Sequence, residues 1–116
     1  MPQSYPEIAK QVSADAARLT RAHPQALKAF RELGAATYAD GALARKTKEL
    51  IALAISVSAR CDGCIAFHSH SALKAGATRE EVVEAIGVAL QMGGGPSMVY
   101  GAEALRAFDE FAEQGS

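Results

Sequence analysis

A chain of 116 residues with a net charge of −1 and 49% hydrophobic residues has room for one domain and a modest core. The near-neutral charge and scattered basic residues exclude an electrostatic case for nucleic acid or for a charged membrane surface. No basic n-region followed by an apolar stretch opens the chain, and the nearly apolar run from Leu50 to Ala59 is too short to span a bilayer, so the expected compartment is the cytoplasm.

Helical signals recur along the chain and strand signals do not. Ser4 with Glu7 forms a capping box, and Ile8, Val12, Ala16 and Leu19 then repeat at three- and four-residue steps, predicting a first helix to about Arg21. His23-Pro24 ends it and opens a second, whose expected buried stripe is Ala26, Leu27, Phe30 and Leu33. Asp40-Gly41 is a turn signal. A third helix is predicted from about Arg45 to Ala59, apolar nearly all round and therefore expected to be central and buried. After a tight connection at 60–62, a fourth helix starts near the cysteines and ends at Gly76. Thr78 with Glu81 caps a fifth, carrying Val82, Val83, Ile86, Val88, Ala89 and Leu90. The glycines at 93–95 and Pro96 stop it, and a sixth helix is expected from about Ser97 to Glu113, burying Val99, Leu105, Phe108 and Phe111. The predicted architecture is all-α, a single-domain bundle of about six helices over residues 1–116, with a CxxC at the N-terminus of the fourth. The missing parallel-sheet pattern argues against a thioredoxin-type setting for that motif.

Four residues carry the chemistry. Cys61 and Cys64 sit in CxxC spacing at a helix start, where unpaired backbone N–H groups and the positive helix end favour thiolate, the reactive form. In a reducing compartment such a pair suggests redox or metal chemistry rather than a structural staple. His68, one turn beyond Cys64 on the same face, can take a thiol proton or return one to a leaving group. Glu49 lies inside an otherwise apolar run. If the third and fourth helices form a hairpin turning near Arg60, Glu49 is roughly 15 Å and His68 roughly 10 Å from the turn, at about 1.5 Å per residue. Two long side chains close that difference, so the carboxylate can orient the imidazole and stabilise its cation. A buried Glu requires such a partner.

Other readings exist for each. A zinc site would use Cys61, Cys64 and His68, with or without His70, but His68 and His70 are two apart on a helix and point in different directions, and no metal is expected. His70 reads as a surface or interface residue, and His23 as a solvated turn residue. Met92 and Met98, like Val88, have few obvious partners within one small subunit and suggest an oligomer interface on the fifth and sixth helices.

The pattern Glu49, eleven residues, Cys61-x-x-Cys64, three residues, His68 resembles the signature of the alkylhydroperoxidase D and carboxymuconolactone decarboxylase superfamily. The flanking text KTKELIALAISVSARCDGCIAFHSHSALKAGATREEVVEAI and GGGPSMVYGAEAL is similar too, so the likeness spans about Lys46 to Phe111. It implies an all-helical trimer or hexamer without a bound cofactor. It also implies reduction of organic hydroperoxides by the dithiol: Cys64 attacks, Cys61 resolves, and His68 with Glu49 relays protons. An external dithiol donor, lipoyl-bearing in the best-known case, then reduces the disulfide. One departure is Gly63, where that branch often has a second histidine between the cysteines. Carboxymuconolactone decarboxylases proper do not depend on this CxxC, so its presence argues against lactone decarboxylation. Two further classes remain open: a disulfide oxidoreductase or redox partner without peroxidase activity, and a non-catalytic oligomeric scaffold or metal-binding module.

Overall fold

The computed structural model describes residues 3–115, which form six α-helices and no strand: α1 (Tyr5–Ala22), α2 (Pro24–Tyr38), α3 (Arg45–Ser58), α4 (Asp62–Lys74), α5 (Arg79–Gly93) and α6 (Gly95–Gln114). Each predicted helix is present, and the boundaries follow local chemistry. Ser4 and Glu7 exchange hydrogen bonds as a capping box at the start of α1, and Thr78 and Glu81 do the same for α5. His23 both closes α1 and precedes Pro24, the first residue of α2.

The link from α2 to α3 is held by side chains. The helix-capping position Ala44 has no oxygen to offer, and Asp40 Oδ1 accepts from the Arg45 backbone N–H at 2.7 Å in its place. Lys48 Nζ donates to the Thr37 and Ala39 carbonyls at 2.9 and 2.6 Å, satisfying groups that the end of α2 leaves open.

Two helices end in the same hydrogen-bond pattern on different residues. After α4, Gly76 takes φ +92°, and the Ala77 N–H reaches back to the Ala72 carbonyl at 2.9 Å. After α3, the equivalent left-handed position is Arg60, φ +55°, and the Cys61 N–H bonds the Ser56 carbonyl at 3.1 Å. A non-glycine residue there costs roughly 1–2 kcal/mol. It turns the chain so that Cys61 becomes the N-cap of α4 directly.

Packing departs from expectation on α2, α3 and α6, and α5 buries little. The proposed buried stripe of α2 is not buried: no α2 residue is, and Phe30 and Leu33 are 70% and 62% exposed. Their apolar face borders a cleft rather than the core. Helix α3 is one-sided rather than buried all round. Glu49, Leu53, Ser56 and Val57 face inward at helical spacing, while Ile51 and Ile55 face out. On α6, Phe108 and Phe111 are buried and Leu105 packs against the core, but Val99 is exposed. It falls off the Ser97, Gly101, Ala104, Phe108 stripe that meets α4 and α5. On α5 only Val82 and Ala89 are buried, leaving Val83, Val88 and Leu90 on the outside.

The core is built largely from small side chains, so helices lie close. At Gly101 an added Cβ would meet Ile86 Cγ2 at 2.7 Å, which makes glycine a requirement of the α5–α6 contact. The result places α4 centrally, against α1, α3 and α6, with α3 antiparallel beside it.

Candidate functional site

Helix α4 begins on the dithiol. Cys61 and Cys64 are disulfide-bonded, with their Cα atoms 5.2 Å apart. The Cys64 backbone N–H donates to Cys61 Sγ at 3.2 Å, so the polarity of the helix start falls on Cys61. Both cysteines are half-buried.

Gly63 between them faces α1. A Cβ at that position would lie 3.2 Å from Val12 Cγ2. The absence of a second histidine is thus matched by a close approach of α1 over the motif; a larger residue there would push against it.

Further along the same helix, His68 Nδ1 lies 2.8 Å from Glu49 Oε1. The antiparallel placement of α3 and α4 brings these two together, as the rise per residue predicts. The Glu49 side chain is only 3% exposed and that of His68 26%. The second carboxylate oxygen of Glu49 is 3.8 Å from Arg45 Nε, one turn back on α3. A carboxylate on Nδ1 fixes the ring orientation and leaves Nε2 as the nitrogen available for proton exchange.

Two further residues complete this region. The Tyr38 ring sits 5.7 Å from that of His68, tilted by 35°. Burial, and then the Glu49 charge, raise its hydroxyl above the ordinary tyrosine range. Arg45 could have been found from its i,i+4 spacing to Glu49; Tyr38 carries no local signal, since it arrives from a different helix.

A cleft of about 600 Å³ opens between α2, α3 and α4, lined by Phe30, Arg31, Tyr38, Arg45, Glu49 and His68 among others. The Glu49–His68 pair therefore faces a space large enough for a small organic molecule. A separate hollow of about 410 Å³ between the start of α1 and the end of α6 is lined by neither thiol nor histidine.

His70 points away from this region. Its ring stacks on Phe111 at 4.3 Å with 5° between planes. Burial, and then Lys74, lower its pKa and favour the neutral ring. Among the described residues no three of His, Cys, Asp and Glu group as a metal site.

On the far side of the dithiol, Tyr5 anchors Asp62, one of the two residues between the cysteines. Fully buried at the start of α1, it places its hydroxyl 2.7 Å from Glu103 Oε1 and 3.2 Å from Asp62 Oδ1. Its backbone N–H donates to Glu110 Oε1 at 2.7 Å, and the Arg106 guanidinium lies 4.9 Å over its ring. Burial, then Glu103 and Asp62, push the phenol well above its ordinary range and hold it neutral. Sequence reading missed this anchor, whose partners stand 57 and 98 positions away.

Comparison with known proteins agrees with this frame. The profile of the carboxymuconolactone decarboxylase family matches residues 24–107. An uncharacterized protein of Cupriavidus necator is 43% identical over 91 residues, covering 78% of this chain and 80% of that one. Among solved structures, a carboxymuconolactone decarboxylase family protein of Legionella pneumophila superimposes with a TM-score of 0.91 at 47% identity, covering 93% of this chain and 96% of that one. A Thermotoga maritima family protein, suggested to take part in an antioxidative response, gives a TM-score of 0.81 at 31% identity over 92% of each chain. On the match of profile, relatives and fold together, the chain belongs to the carboxymuconolactone decarboxylase family.

Proposed function

We propose that the protein reduces organic hydroperoxides with the Cys61/Cys64 dithiol, using His68 and Glu49 as a proton relay. The observation that carries this reading is the 2.8 Å contact between a buried carboxylate and a histidine on the helix that begins with the disulfide. The antioxidative role suggested for the Thermotoga maritima relative points the same way.

In the reduced protein, His68 accepts the Cys64 proton, and Glu49 stabilises the resulting imidazolium. The Cys64 thiolate attacks the hydroperoxide. The O–O bond breaks, a sulfur–oxygen bond forms, and the departing alkoxide takes the proton from His68 to leave as an alcohol. The Cys61 thiol then attacks the Cys64 sulfenic acid, forming the disulfide and releasing water. Cys61 suits this resolving role because the Cys64 N–H supports negative charge on its sulfur. Two electrons from an external dithiol donor return both cysteines to the thiol form.

Thiol titration before and after one equivalent of organic hydroperoxide tests the proposal. Loss of both thiols with one alcohol formed per chain supports it, as does turnover with a dithiol donor. Reduction of insulin or small disulfides without peroxide consumption would move the assignment to a disulfide oxidoreductase. Inertness in both assays, with stoichiometric zinc, would move it to a metal-binding scaffold.

A further inference from the structure

The cleft over His68 adjoins two further hollows of opposite chemistry. The central space of about 600 Å³ shares Phe30, Gly34, Tyr38 and His68 with a lobe of about 300 Å³ that adds Leu33 and Thr37. It shares Arg45 and Ser71 with another lobe of about 350 Å³ that adds Lys74 and Ala75. The three hollows share wall residues and adjoin one another, and His68 and Glu49 line the central one of this groove.

One end is apolar. Phe30 and Leu33 present their side chains there, on a helix that buries nothing in the core. The other end is cationic: Arg45 and Lys74 line it with no carboxylate, and Arg31 adds a third cation to the central part. Glu49 is the one carboxylate lining the groove, and it is already engaged by His68 and Arg45. Arg31 and Lys74 therefore face the groove without a neutralising partner among the described residues. A groove lined by one sign of charge concentrates ligands of the opposite sign.

We propose that this groove binds an amphipathic hydroperoxide carrying a carboxylate, with its chain on Phe30 and Leu33, its carboxylate at Arg45 and Lys74, and its peroxide at His68, one helical turn along α4 from the attacking Cys64, which itself lies outside the groove wall. Fatty-acid hydroperoxides are the chemical class that combines these three features. The proposal rests on the peroxidase reading for its reaction and on the groove alone for its ligand. A small neutral peroxide would need neither the aromatic wall nor the three cations.

The test compares three substrates: linoleic acid hydroperoxide, its methyl ester, and tert-butyl hydroperoxide. The expected kcat/KM for the acid exceeds that for the ester by about tenfold, the scale of one charge-assisted contact. The preference should reside mainly in KM and shrink as salt is raised. In Arg31→Ala/Lys74→Ala, both exposed positions, the acid-to-ester ratio should fall severalfold, with Arg45 the remaining cation of the groove. A ratio of one or below in the unmodified protein, with tert-butyl hydroperoxide still turned over, overturns the groove assignment and leaves the dithiol chemistry standing. No turnover of any of the three overturns the peroxidase reading instead. Calorimetric binding of decanoate against decanol then decides the ligand class independently: decanoate binding that weakens in the double variant supports an anion-binding groove, and equal binding of the two overturns it.

Discussion

Replacing Glu49 with Gln removes a charge while keeping a group that can still accept from His68 Nδ1. The pair is 2.8 Å apart and the carboxylate is almost wholly buried, so the lost charge is poorly compensated by solvent. A hydrogen bond to a charged group contributes about 1.5–3 kcal/mol. Because Gln retains the contact, the lower end applies, and kcat/KM for hydroperoxide should fall about tenfold. Changing His68 to Gln removes the proton carrier itself and should cost about 10²- to 10⁴-fold. If the two act as one relay, the Glu49→Gln/His68→Gln double variant should stay within about threefold of His68→Gln alone, because coupled groups are non-additive. Stability should rank the same variants differently. Without His68, Glu49 keeps only Arg45, at 3.8 Å and beyond hydrogen-bond range, so His68→Gln should lose about 1–3 kcal/mol, read as roughly 4 °C in Tm per kcal/mol. Steady-state rates with saturating dithiol donor, paired with thermal melts, measure both. Fully multiplicative losses in the double variant would show that the residues work separately and would refute the relay.

Cys61→Ser should still form a sulfenic acid at Cys64 and stall there, whereas Cys64→Ser should form little; an adduct trapped on Cys61 alone would reverse the roles. Gly101→Ala should destabilise the fold by about 1–3 kcal/mol, since the clash with Ile86 outweighs the gain in helix propensity of about 1 kcal/mol; an unchanged denaturant midpoint would contradict the close α5–α6 contact. His70 has its pKa lowered from 6.5, so its contribution to stability is complete above that pH and is lost as pH falls through the folded-state value; His70→Phe should flatten the acid side of the stability profile, and an identical profile would count against it. Light scattering should give a homo-oligomer, a trimer or hexamer, because Val88, Met92, Met98 and Val99 lie exposed on α5 and α6; a stable monomer at micromolar concentration, or no effect of Met92→Glu, would overturn this.

The features legible before any fold is known are local in origin. The capping boxes at Ser4 and Thr78, the Pro24 start and the Gly76 stop each depend on residues a few positions apart, so their chemistry is legible without a fold. The pairing of Glu49 with His68 was legible for a related reason: a short turn between two helices leaves only the rise per residue to decide which side chains meet. Periodicity, by contrast, says which face of a helix is apolar and not what will cover it. That is why α2 was expected to bury Phe30 and Leu33 and instead turns them to a groove, and why Ile55 on α3 and Val99 on α6 remain exposed. Only the tertiary structure could bring Tyr38 against His68, or carry Tyr5 from the start of α1 to Asp62 and Glu103, because those contacts join helices whose relative placement no local spacing encodes. It also supplied the counterpart to Gly63, the Val12 side chain, through the packing of α1 across the dithiol.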